Sequence, residues 1–408
     1  MDLLDEYEVS NLLNIPLNRL NKWAKNGKLY PSKFDKIKYY SKTTLMKFQV
    51  AHEVLNTNWD EFIEIKPKRD YTSIELFAGA GGMALGMEKS GFKHILLNEF
   101  EKNACNTLRF NRPEWNVIEG DIQKVDFTGY SSQADIVTGG FPCQAFSSAG
   151  KKLGFEDTRG TLFFDFARCI DEVKPKIFIG ENVKGLLNHD GGKTLEVIKQ
   201  SVKDIGYTLI EPKVFKAMYY KVPQKRERLI LIGVRNDLAK YINEYKFPEK
   251  YHKVLTVKDA FSKGELFSKK VPKDIGVEYP KRKKEIMEQV PEGGYWKDLS
   301  DELQKEYMGG SYYLGGGKTG LARRLSFKKP SLTLVTSPAM KQTERCHPKE
   351  TRPLTIRESA RIQTFPDSWS FQGAKGQQYK QIGNAVPVNL AYALGLSIID
   401  LLNKIEHN

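Results

Sequence analysis

The sequence predicts an α/β protein built on a doubly wound sheet, with a small separate module in front of it. Three observations predict this. Short apolar runs at 73–78, 94–97, 135–138, 177–179 and 229–234 alternate with helical stretches such as 161–171, the pattern of a mainly parallel sheet with crossover helices. The first run ends in Phe77-Ala78-Gly79-Ala80-Gly81-Gly82, a glycine turn between a strand and a helix. The chain has 408 residues, 40% hydrophobic and 28% charged, which suits two or three domains with real cores and excludes general disorder.

Lys and Arg exceed Asp and Glu by 64 − 50 = 14. A field of that sign suits polyanions, nucleic acid most simply; a merely lysine-rich soluble protein is the alternative. The longest apolar runs are too short to cross a bilayer, and the opening MDLLDEYEVS is acidic and polar rather than secretory. A cytoplasmic protein with no membrane partner is therefore expected. Cys105, Cys143, Cys169 and Cys346 form no CxxC pair, and no histidine cluster joins them. Neither a disulfide framework nor a metal site is expected.

Residues 1–65 read as the separate module. Val9, Leu12, Leu13 and Ile15 mark one amphipathic helix; Pro16 opens a second, with Leu17, Leu20 and Trp23 on its apolar face and Gly27 ending it. A short strand at 36–40 and a helix at 43–48 follow. Two helices across a tight turn, then a basic strand, suggest a helix-turn-helix with a wing. With Trp23, Gly27-Lys28-Leu29 and Tyr39-Tyr40, the module resembles the winged helices of MerR-type regulators and phage excisionases; a helical appendage that only packs on its neighbour is the plainer reading. Lys66-Pro67-Lys68-Arg69 reads as a linker to a domain at 71–250.

The glycine turn lets backbone approach a ligand at a helix start. Glu99 ends the next strand, where an acid can take ribose hydroxyls, and Asp121 ends the one after. Gly79, Gly81 and Ala84 also satisfy a dinucleotide pattern, so a nicotinamide enzyme is a rival at this point. Two Gly-Lys-Thr triplets fail as phosphate loops, because Leu187 and Tyr312 stand where glycine is required. Gly139-Gly140-Phe141-Pro142-Cys143-Gln144 follows the strand at 135–138 directly. A cysteine at such a strand end, near helix starts, is placed to be a thiolate nucleophile rather than a core residue. Glu181-Asn182-Val183 ends another strand, where a carboxylate is either a cap or an acid–base group. In Gln224-Lys225-Arg226-Glu227-Arg228 the two arginines alternate on a strand and share a face; a solvated strand start is the plainer alternative. Residues 251–349 lose the alternation and carry Lys281-Arg282-Lys283-Lys284, Gly315-Gly316-Gly317-Lys318 and Arg323-Arg324, sequence that suits a surface laid on phosphates. Gln381-Ile382-Gly383-Asn384-Ala385-Val386-Pro387 leads into a last apolar helix within 350–408.

As an ordered set, Pro142-Cys143-Gln144, Glu181-Asn182-Val183 and Gln224-x-Arg226-x-Arg228 resemble the cytosine-5 DNA methyltransferases of bacterial restriction–modification systems. Arg357-Glu358-Ser359-Ala360-Arg361 with Gln363-Thr364-Phe365-Pro366 resembles the family's ninth block. The likeness covers almost everything from residue 71 to 408. It implies a Rossmann-like S-adenosylmethionine-dependent methyltransferase fold, a target-recognition domain inserted at 251–349, and closure by 350–408. It implies Cys143 as the nucleophile that adds to carbon 6 of a flipped cytosine, Glu181 at ring nitrogen 3, and Arg228 supported by Arg226 at the base carbonyl or backbone. For S-adenosylmethionine it implies Phe77, Gly79, Gly81, Gly82, Glu99, Asp121, Ile122, Pro142, Leu162 and Asn384. Residues 146–157, with Lys151 and Lys152, resemble the mobile active-site loop, and Arg323 and Arg324 are candidates for guanine or phosphate. The implied partners are double-stranded DNA, a genetically linked restriction endonuclease, and operator DNA if residues 1–65 also regulate. A transfer-RNA cytosine methyltransferase is the rival within the family; the long basic insert and the N-terminal module weigh against it.

Overall fold

The computed structural model describes residues 3–142, 162–315 and 318–407. At the N-terminus β1 (Leu3–Asp5), β2 (Lys33–Asp35) and β3 (Ile37–Ser41) form an antiparallel sheet in the order β1-β3-β2. Between β1 and β2 lie α1 (Glu6–Leu12) and α2 (Leu17–Lys25). Asp5 caps α1, accepting from the Tyr7 and Glu8 amides while the Glu8 carboxylate takes the Asp5 amide, a reciprocal closure of orphan donors. The expected strand starts one residue late because Lys36, at φ +57, is the turn of the β2–β3 hairpin. The expected helix at 43–48 is only α3 (Lys42–Leu45); Phe48 breaks away to stack on Trp23, centroids 5.4 Å apart, and precedes α4 (Gln49–Leu55) and α5 (Trp59–Phe62).

The expected linker is clamped rather than loose. The Arg69 guanidinium donates to Asp135 at 2.8 Å and to Glu406 at 3.0 Å, and the Lys68 amide donates to Asn403. The main sheet follows: β4 (Tyr71–Leu76), β5 (Phe92–Glu99), β6 (Val117–Glu119), β7 (Ile136–Gly139), β8 (Ile177–Val183), β9 (Tyr207–Lys216) and β11 (Glu227–Arg235), with the two-residue β10 (Gln224–Lys225) before the last. Its order is β6-β5-β4-β7-β8-β11-β9. β11 runs antiparallel to both neighbours and the other contacts are parallel, so the doubly wound sheet carries one reversed strand. α6 (Gly82–Ser90), α7 (Lys102–Asn111), α8 (Leu162–Val173) and α9 (Lys193–Asp204) provide crossovers. Asp121 stands two residues past β6, capping a 3-10 turn, rather than ending the strand.

The insert holds α10 (Val257–Phe261), α11 (Lys281–Glu288), α12 (Asp301–Met308) and β12 (Ser331–Leu332), which pairs with β10. Tyr279, Met287, Trp296, Tyr307, Leu321 and Cys346 belong to a core of its own, whereas Tyr251 and Leu255 join the core of the main sheet. α13 (Ile356–Ile362), α14 (Lys375–Asn384) and α15 (Val388–Ile405) end the chain. α15 packs against α6 at glycine distance: a Cβ on Gly86 would lie 2.4 Å from Ala391 Cβ and 2.6 Å from the Val388 carbonyl. Among the described residues one helical segment, Lys375–Ile405, is apolar and long enough to cross a membrane, but 83% of its apolar window is buried inside the protein. It is a core element.

Candidate active site

The glycine turn takes its shape from backbone that other residues avoid. Phe77, Gly79 and Gly81 have φ of +56, +54 and +83, left-handed values costly for a non-glycine residue such as Phe77. Gly81 caps α6, and a Cβ on Gly82 would lie 2.3 Å from the Val386 carbonyl. A Cβ on Gly79 would meet nothing within 4 Å, so the turn faces open space. Glu99, at the end of β5, accepts from the Gly79 amide and the Glu101 amide, each at 2.7 Å. Ile122 is buried, and Leu162 opens α8, half-buried. Trp369, which the motifs did not single out, donates its indole N–H to the Ala80 carbonyl at 3.1 Å and supports the turn from below; an aromatic soon after the ninth block was its only signal.

The second half of the site lies at the ends of β7 and β8. Glu181 pairs across the sheet with Ile230 and Val183 with Arg228, so Glu181 and Arg228 are diagonal neighbours on one face. Arg228 Nε lies 2.6 Å from Glu181 Oε1. A Cβ on Gly140 would lie 2.9 Å from Glu181 Oε2. The carboxylate thus abuts the Gly139-Gly140-Phe141-Pro142 turn, and Asn182, buried, donates to the Phe141 carbonyl at 2.9 Å. Burial pushes the Glu181 carboxyl up from the ordinary range against the pull of Arg228 and Arg226. Pro142 is exposed at the end of this turn. Cys143, Lys151 and Lys152 lie outside the described residues.

Arg226 and Arg228 diverge in use. The buried Arg226 guanidinium donates to the carbonyls of Leu334 (3.1 Å), Gly383 (2.9 Å) and Asn384 (3.3 Å). It thereby holds the exposed Asn384 in place. Gln224 donates to Gln363 at 2.9 Å, and Gln363 donates to the Ile382 carbonyl at 2.7 Å. Distant motifs are therefore joined by one buried polar chain. Glu75, also missed, lies behind the glycine turn, accepting from the Ala84 amide at 3.0 Å and hydrogen-bonded to Thr138; burial pushes it up to about 8.

Several basic residues of the insert face inward. Arg324 is buried and donates to the carbonyls of Met287 (2.6 Å), Val290 (2.7 Å), His347 and Glu350. A guanidinium committed to that many carbonyls cannot read a guanine, so that assignment is corrected. Lys283 reaches buried Glu344 at 2.6 Å, which removes it from the expected phosphate surface, whereas Arg282 stays exposed in surface pairs with Glu285 and Glu306. Arg323 is half-buried, its guanidinium 4.6 Å from the Tyr295 ring centroid. The free cysteines among the described residues, Cys105, Cys169 and Cys346, are buried, and no group of three or more His, Cys, Asp or Glu is gathered there to hold a metal.

A sheet of this order, with a glycine turn, an acid ending the second strand and a buried carboxylate held by arginine, defines a Rossmann-like methyltransferase. Residues 71–400 match the family model described as C-5 cytosine-specific DNA methylase. The chain is 59% identical to the Type II methyltransferase M.Eco47II of Escherichia coli over 401 residues, 98% of this chain and 96% of that one. It is 36% identical to M.HhaI of Haemophilus parahaemolyticus, over 82% of this chain and 98% of the relative. The solved structure of the Entamoeba histolytica methyltransferase EhMeth shares the fold, with TM-score 0.56 at 14% identity over 83% of this chain and 99% of that one. The chain belongs to the C-5 cytosine-specific DNA methylases and is a DNA (cytosine-5) methyltransferase. The nicotinamide reading of the glycine turn falls with that assignment.

Proposed function

We propose that the chain transfers the methyl group of S-adenosylmethionine to carbon 5 of a flipped cytosine in a short specific duplex sequence, in the cytoplasm of a bacterium, shielding DNA from a cognate restriction endonuclease. The observation that carries the reading is the buried Glu181–Arg228 pair, set against the turn that runs into Cys143.

The residues fit the donor. The turn Phe77, Gly79, Gly81 and Gly82 opens onto free space, and the Glu99 carboxylate stands at its edge to take ribose hydroxyls. Asp121 and Ile122 would hold the adenine, and Pro142, Leu162 and Asn384 the remainder. Bound there, S-adenosylmethionine supplies an electrophilic methyl on a sulfonium. The chain does the rest. The Cys143 thiolate adds to carbon 6, forming a C–S bond and making carbon 5 nucleophilic. Glu181, whose burial favours the protonated carboxyl, gives a proton to ring nitrogen 3. Arg228 holds Glu181 and the base carbonyl side by side, and Arg226 acts as a positioning residue behind them. Carbon 5 takes the methyl group, leaving a neutral thioether on the donor; loss of the carbon 5 proton, elimination of the thiolate and return of the nitrogen 3 proton to Glu181 then release the product and restore the site. Extrusion of the base costs a few kcal/mol, offset by contacts to the duplex. Residues 251–349 would read the major groove, with Arg323 as a candidate contact, while Lys151 and Lys152 close on phosphate.

A second role is favoured by α2. Asn18, Arg19, Lys22 and Lys25 are exposed on it, and the β2–β3 hairpin projects beside it. An exposed basic helix beside a hairpin supports a winged helix-turn-helix reading, in which residues 1–65 would also bind operator DNA. Bisulfite sequencing of DNA from a heterologous host expressing the chain tests the main reading. Methylated cytosines in one short sequence are expected, and their loss in Cys143→Ser; unmethylated DNA from the wild-type chain overturns it.

A further inference from the structure

The N-terminal module is built into the catalytic domain rather than tethered to it. Val9, Leu12 and Ile15 share a core with Phe215, Met218 and Leu390. The Tyr219 hydroxyl donates to the Leu12 carbonyl at 3.0 Å, and the Asn11 amide group donates to the Lys328 carbonyl at 2.8 Å. The Lys328 ammonium lies 4.2 Å from the Tyr7 ring centroid. At the far end of the module, Thr57 donates to the Lys250 carbonyl and Glu53 pairs with Lys250.

This docking carries the α1–α2 turn to the ends of the catalytic strands. A cleft of about 440 Å³ is lined by Asn14 of that turn, by Val183 and Lys184 after Glu181, by Lys216 and Lys225, and by Arg228. Asn14 has φ +50, a left-handed value that asparagine tolerates better than most residues. The charge around the cleft is mainly positive. Among the described residues Glu227 is its one lining carboxylate, 3.2 Å from Lys184 and 3.9 Å from Lys216. Burial and the charges of Lys329 and Lys216 pull Lys225 below its ordinary pKa, and burial and Arg323 do the same to Lys329. Positive charge thus runs from the cleft toward the insert. Crowded like charges around a polar cleft are relieved by an anion, and a phosphodiester is the anion that a DNA methyltransferase meets.

We propose that the α1–α2 turn forms one wall of the methylation cleft, where Asn14 and Lys216 contact the backbone of the duplex being modified, beside its target cytosine. The N-terminal module is then part of the substrate site and not only an operator-binding unit. This rests on the chain methylating duplex DNA. The test is steady-state methylation and binding anisotropy on a long duplex carrying one site, over a range of salt, for Asn14→Asp and Lys216→Gln. A carboxylate at 14 should raise KM for DNA about ten-fold, with the change in KM and not in kcat and with KM for S-adenosylmethionine unmoved. Lys216→Gln should make the slope of log K against log salt shallower by about one. Thermal melting of each variant separates misfolding from lost contact, and Lys216, at a strand end with a partly exposed side chain, supplies the reading if Asn14→Asp melts early. Wild-type KM and salt slope in both variants would overturn the proposal, whereas a wild-type chain inactive on every duplex would strike the methylation reading itself.

Discussion

Arg228 and Glu181 stand on neighbouring antiparallel strands with Arg228 Nε 2.6 Å from Glu181 Oε1. Two opposing effects meet at this carboxyl: burial raises its pKa, and the guanidinium lowers it. The balance keeps a proton available higher in pH than an exposed glutamate allows, while leaving the group able to give it up. Glu181→Gln retains the size and a hydrogen-bond donor but has no proton to transfer. We expect kcat to fall about 10²- to 10³-fold, with DNA binding retained. The alkaline decline of kcat set by Glu181 should also disappear from the pH profile. A variant with the wild-type profile would contradict the role.

Glu75 gives a stability prediction with a definite sign. The unfolded chain loses this proton near 4.5, and the folded chain holds it to about 8. Between those values the folded state binds more protons, so stability falls as pH rises, by up to about 1.4 kcal/mol per pH unit from this group. A glutamine side chain at this position would mimic the neutral carboxyl, accepting from Ala84 and donating to Thr138. Glu75→Gln should therefore match the wild type near pH 5 and exceed it at pH 8 in chemical denaturation. Parallel curves for the two proteins would contradict the buried, protonated assignment.

The adjacent arginines of the insert should separate cleanly. Arg324→Ala strands the carbonyls of Met287, Val290 and His347 in a buried setting, at a cost of about 3 kcal/mol or more. Arg323→Ala removes a half-buried group stacked on Tyr295 and should melt much nearer to the wild type, with its main effect on DNA affinity. Thermal melts and binding isotherms check both; equal loss of Tm in the two variants would contradict the division.

Five strands of the main sheet were legible because each is a short apolar run, most of them running into glycine or an acid, whereas β9 (Tyr207–Lys216), broken by Glu211 and Lys213, was not. That pattern puts Gly79, Glu99 and Glu181 at strand ends and Arg228 at a strand start, but their roles were legible only through the likeness to a family. What remained illegible depends on partners far away in sequence. Nothing near Arg324 marks it as internal, because its acceptors lie at Met287, Val290 and Glu350. Lys283 looks like part of a solvated basic run until Glu344 comes to meet it. The reversed direction of β11 is invisible in a run such as 229–234, which is equally apolar either way. The docking of residues 1–65 rests on contacts such as Asn11 with Lys328 and Tyr219 with Leu12, which no local pattern announces.

The central claim is a transient bond between the Cys143 sulfur and carbon 6 of the extruded base. A duplex with 5-fluorocytosine at the methylated position cannot release the enzyme after transfer, since the fluorine replaces the proton that must leave. With S-adenosylmethionine present, we expect a complex that survives denaturing electrophoresis, maps to Cys143 by peptide mass, and is absent for Cys143→Ser. A wild-type protein that methylates the unmodified duplex yet never becomes covalently attached to the fluorinated one would contradict the account.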